Sequence, residues 1–138
     1  MNQANGVTSR IISMPQTRSI LSAISDEGVK EQVLGALNGI ETYSLTWVGN
    51  SEDLLLNILD KEIDLAIIDE NLVGIEGPKL IEIVKKTRPR IPLIIISSGN
   101  SREELARVLE QGIFYFTMAP VKGEELRQAV DSALQISP

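Results

Sequence analysis

The chain has 138 residues, 43% hydrophobic and 23% charged, which is enough for one folded domain with an ordinary core and speaks against wholesale disorder. Its net charge of −6 is the wrong sign for a nucleic-acid binder that relies on phosphate neutralisation. With no cysteine and no histidine, disulfides, thiolate zinc sites, Cys–His or Ser–His nucleophile pairs and imidazole acid–base catalysis are all excluded, so site chemistry falls to carboxylates, hydroxyls, amides and Lys/Arg.

Residues 1–16 are polar, lack a clear period and end near Pro15; they read as a flexible N-terminal extension without the apolar core of a signal peptide. No stretch approaches a membrane span, so a cytoplasmic location is expected. From Thr17 the pattern alternates strand and helix. Ser19–Ser25 reads as a strand, and a helix starting at Asp26 and Glu27 carries Val29, Val33, Leu34 and Leu37 on one face. Thr42–Val48, with Tyr43, Leu45 and Trp47 in period two, reads as a strand with one more exposed face. Ser51 is the expected cap of a leucine-rich helix running to about Asp60.

The segment Ile63–Asp69 is an apolar run that ends on a carboxylate, the signature of a parallel strand buried on both faces. A residue closing such a strand faces the crevice where open α/β sheets bind ligands. Gly74 and Gly77 punctuate the following loop, and a helix with Leu80, Ile81, Ile83 and Val84 begins at Pro78. Pro92–Ile96 reads as a second fully apolar strand. Ser101-Arg102-Glu103-Glu104 forms a capping box opening a helix with Leu105, Val108 and Leu109 inward and Gly112 at its end. Phe114–Thr117 reads as the fifth strand, and a last helix from about Lys122 turns Leu126, Val130, Ala133 and Leu134 inward. Alternating strands and helices with apolar central strands imply a doubly wound, five-stranded parallel sheet in a three-layer α/β/α, flavodoxin-like fold.

Asp69-Glu70-Asn71-Leu72-Val73-Gly74-Ile75-Glu76-Gly77 resembles the receiver domain of two-component response regulators, and the resemblance extends over residues 17–135. It implies strand order 2-1-3-4-5 and a non-enzymatic signalling domain. It also implies that Asp69 accepts a phosphoryl group from a sensor histidine kinase or a phosphotransfer protein. Taken alone, Asp69 also fits a turn residue closing a strand. The family has two acidic residues after strand one, matched here by Ser25 and Asp26, so the resemblance implies a Mg²⁺ site, weakened by the serine, from Asp26, Asp69 and the carbonyl of Asn71. Asp26 fits equally a helix N-terminal carboxylate favoured by the dipole. Ser97 stands where the family has a hydroxyl that bonds the phosphoryl group, although Ser97-Ser98-Gly99-Asn100 also fits a plain loop start.

Two departures matter. The family's lysine before the cis proline is Ala119, ahead of Pro120, and its switchable aromatic is Phe116. Loss of the ammonium removes an ion pair on the order of a few kcal/mol from the pocket. In Phe114-Tyr115-Phe116 neighbouring rings should point to opposite faces, so a ring outside the core would be a contact for a partner or a second copy on the helix-four, strand-five, helix-five face. The alternative is that the rings pack beneath those helices. Three functional readings follow. One is a phosphoryl-accepting receiver with an atypical, lysine-less switch. Another is a pseudo-receiver that binds proteins independently of phosphorylation. The last is a small flavodoxin-like enzyme or nucleotide binder, which Ser25-Asp26-Glu27 disfavours because it would repel phosphate.

Overall fold

The computed structural model describes residues 17–99 and 101–135. The expected N-terminal extension, 1–16, lies outside the described residues. The chain alternates through β1 (Arg18–Ala23), α1 (Glu27–Leu37), β2 (Tyr43–Val48), α2 (Ser51–Asp60), β3 (Leu65–Asp69), α3 (Gly77–Thr87), β4 (Leu93–Ser97), α4 (Arg102–Leu109), β5 (Tyr115–Met118) and α5 (Gly123–Leu134). The sheet is five-stranded and parallel in the order β2-β1-β3-β4-β5.

The central strands explain the three layers. β3 and β4 are buried at every position, so their alternate residues feed two separate cores. Ala66, Ile68, Leu93 and Ile95 meet Leu54 and Ile58 of α2, Leu80, Ile81 and Val84 of α3, and Val108 of α4. Leu65, Ile67, Ile94 and Ile96 meet Val29, Val33 and Leu37 of α1 and Leu126, Val130 and Leu134 of α5. The strands converge with their carboxyl ends on one edge, where the loops after β1, β3, β4 and β5 gather.

Several local expectations shift. Ser51 does not cap α2; the Asn50 side chain accepts from the Asp53 amide at 2.8 Å, and Ser51 is buried one residue inside the helix. Asn competes as well as Ser for a cap, and the loop after β3 claims the serine hydroxyl instead. Leu34 and Leu109 are 38% and 49% exposed rather than turned fully inward, because α1 and α4 each bury a narrower stripe than their leucine content suggested. The capping box at α4 forms, with Ser101 Oγ accepting from the Glu104 amide at 3.1 Å.

Candidate functional site

Asp69 closes β3 and is 1% exposed. Its Oδ1 accepts the Asn71 amide at 3.0 Å; no well-formed hydrogen bond reaches the buried Oδ2, although the Asp26 backbone amide also favours the ionised carboxylate. Burial raises the Asp69 pKa above the ordinary carboxylate value, the Asn71 amide opposes that rise, and the Asp26 charge adds to it. The structure thus gathers Asp26, Asp69 and Asn71 at one corner, as expected from the sequence.

The polar groups at this corner are largely engaged in local structure. The Asp26 carboxylate serves as the N-cap of α1, accepting the Val29 amide at 3.1 Å. Ser25 has its hydroxyl committed to backbone, donating to Gly49 O at 2.9 Å and accepting from the Val73 amide at 2.9 Å. Just before it, Ile24 is 4% exposed and packs with the α1/α5 core. Among the described residues, no group of three or more acidic, Cys or His side chains is arranged to hold a metal ion. The groups at this corner that could face a cation are the unbonded Oδ2 of Asp69, the exposed Asp26 carboxylate, whose Oδ1 caps α1, and the Asn71 carbonyl, a set that leaves a hard cation most of its waters.

Ser97 closes β4 and is 2% exposed. The carboxyl nearest in influence is not Asp69 but Glu70, in the turn directly after β3. Glu70 is 4% exposed, and neither of its carboxyl oxygens has a well-formed hydrogen bond. Burial raises its pKa, the Ser97 hydroxyl partly offsets this, and the charges of Glu104 and Asp69 push it further up. A side chain at Gly77 would collide with the Glu70 methylene and carbonyl, each 2.9 Å from the position of an added Cβ, so α3 opens directly against this residue. The signal was an acidic residue immediately after a buried strand, but the strand's length alone did not say which way it would point.

Ala119 packs against the α1/α5 core, and its amide donates to Ser97 O at 2.7 Å. The Ala119–Pro120 bond is cis. Phe116 packs against the α2/α3/α4 core and Tyr115 against the other, while Phe114 is 48% exposed. The aromatic run therefore divides: Tyr115 and Phe116 pack on opposite faces, as alternation requires, and Phe114, just before β5, stands out. Leu109 and Met118, also about half exposed, accompany it on α4 and β5.

Comparisons with known proteins converge on one family. The response regulator receiver domain pattern matches residues 22–131. The transcriptional regulatory protein GlrR of Escherichia coli K12 is 28% identical over 117 residues, covering 85% of this chain and 26% of that protein. The DNA-binding transcriptional regulator NtrC of Azospirillum brasilense is 28% identical over 116 residues, covering 84% and 24%. The chain thus spans about a quarter of the length of these relatives. Among solved structures, the receiver domain of NtrX from Brucella abortus superposes with a TM-score of 0.75 at 25% identity, covering 86% of this chain and 99% of that one. A CheY-like receiver domain protein from Methanospirillum hungatei JF-1 shares the fold with a TM-score of 0.79 at 24% identity, covering 87% and 95%. With the fold, the strand order and the family pattern in agreement over most of its length, the chain belongs to the response regulator receiver domain family.

Proposed function

We propose that this receiver domain transmits its signal through protein contact, independently of Mg²⁺-assisted phosphoryl transfer to Asp69. The observation that carries this reading is the fate of the polar groups around Asp69. Asp26 caps a helix, Ser25 is bonded to backbone on both sides, and position 119 offers a methyl group. Burial of Asp69 at 1% exposure works against the ionised form that attacks a phosphoryl donor, and no lysine at position 119 offsets the phosphoryl charge. Glu70 places a further carboxyl beside the Ser97 hydroxyl that would otherwise bond a phosphoryl oxygen.

The partners this reading calls for are those of the family: a sensor histidine kinase, a phosphotransfer protein or a second receiver, docking on the α4–β5–α5 face through Leu109, Phe114 and Met118. A cytoplasmic setting and the absence of direct nucleic-acid contact belong to the same proposal. Among the described residues no helix is long and apolar enough to cross a membrane.

A second reading keeps Asp69 as phosphoacceptor. It is favoured by the Asn71 amide, which stabilises the ionised carboxylate, and by the orphaned Oδ2 as the attacking atom. Incubation with acetyl phosphate and Mg²⁺, followed by intact mass, separates the two, with Asp69→Asn as control. No adduct on the folded protein is expected. One phosphoryl group on the wild type, lost in Asp69→Asn, would overturn the first reading in favour of the second.

A further inference from the structure

The loop between β3 and α3 displays Val73 at 62% exposure, yet its backbone is bonded at nearly every step. The Asn71 amide reaches Asp69 Oδ1 at 3.0 Å, and the Leu72 amide reaches Asp69 O at 2.9 Å. Val73 donates to Ser25 Oγ and accepts from the Ser51 amide, both at 2.9 Å, and forms a parallel bridge with Asn50. The Ile75 amide closes on Ser51 Oγ at 2.9 Å. Between these bonds Gly74 sits at φ +119°, where an added Cβ would stand 2.1 Å from Ser51 Oγ, so only glycine fits.

Exposed loops are ordinarily the least stable parts of a domain. This one is tied to two other loops through two hydroxyls. Ser25 is the pivotal one, since it accepts from Val73 in one loop while donating to Gly49 O in another. A hydroxyl can do both at once; an ionised carboxylate at the same place accepts only and could not hold Gly49 O. The serine that removes an expected acidic residue from the crevice is thus the residue type this junction requires.

We propose that Ser25 and Ser51 form a hydroxyl latch that fixes the β3–α3 loop in one conformation without any ligand. Ser25 acts here as a positioning residue. This deepens the phosphorylation-independent reading and rests on it for its meaning, because a latched loop reports no phosphoryl state.

Amide hydrogen exchange on the full chain tests it. In the wild type the Val73 and Ile75 amides should be protected, and adding Mg²⁺ and acetyl phosphate should leave their rates unchanged. Ser25→Ala should speed Val73 by roughly tenfold, the size of one or two hydrogen bonds, with β3 and β4 amides unaffected. Ser25→Thr, which keeps the hydroxyl, should restore the slow rate. Unprotected Val73 and Ile75 amides in the wild type would overturn the latch, as would an unchanged Val73 rate in Ser25→Ala or a loop rate that responds to acetyl phosphate. If Ser25→Ala fails to fold, the wild-type rates and Ser51→Ala, read at Ile75, still decide. A phosphoryl adduct on Asp69 together with slow, unresponsive Val73 exchange would defeat the reading of function and leave the latch standing.

Discussion

The two halves of the carboxyl edge are built differently. On the side of β1, β2 and β3, loops are sewn together by the Ser25 and Ser51 hydroxyls, and Ile24, Ser51 and Leu72 are all at or below 5% exposure. On the side of β5, every strand residue is half-buried or exposed, and Phe114 and Met118 are about half in solvent. One side spends its polar groups on internal hydrogen bonds and is closed. The other has lost the ammonium expected at position 119 and offers apolar surface. The comparison teaches that the site's missing charges were not simply deleted. On one side a hydroxyl bonded to backbone stands in their place, on the other a methyl group packed against the α1/α5 core.

The largest effect should come from the buried strands that both sides share. Ile67→Ala in β3, fully buried, should cost on the order of 3 kcal/mol in denaturant unfolding, while Met118→Ala in β5 should cost under about 0.5 kcal/mol. Similar costs at the two positions would erase the contrast.

Glu70 sharpens the contrast next, because it is a buried carboxyl with neither oxygen well bonded. Glu70→Met should stabilise the domain by roughly 2 kcal/mol at neutral pH. The sign follows from its raised pKa: the folded state holds the proton more tightly than the unfolded chain. The wild-type contribution is thus complete below the ordinary carboxylate pKa and is lost as pH rises through the folded value, and the same holds for Asp69. Wild-type stability should therefore gain as pH falls toward the ordinary carboxylate range, and the advantage of Glu70→Met should shrink over the same range. An advantage independent of pH would show that packing, not ionisation, is at stake.

Asn50→Ala removes the cap of α2 on the sewn side and should cost about 1 kcal/mol. Smallest in stability is Phe114→Ala, expected within about 0.5 kcal/mol, yet it should weaken binding to a cognate kinase or receiver measured by titration calorimetry. Unchanged binding would remove this face from the proposed docking surface.

Much of this protein was legible in its sequence. The apolar runs of β3 and β4 fixed a doubly wound parallel sheet, because only strands buried on both faces are apolar at consecutive positions. Asp69 at a strand end, Asp26 at a helix start and the Ser101 cap were local patterns, and each lies where its pattern put it. Tertiary structure decided what those groups do, because a side chain's partners come from distant loops. Ser51 left its expected cap for Ile75, Ser25 became a junction between Gly49 and Val73, and Glu70 turned inward toward Ser97. A hydroxyl or carboxyl carries no mark in sequence of which backbone it will meet. Hydrophobic period determines the elements, but the bonding of polar groups at their ends is settled only when the strands bring several loops to one edge.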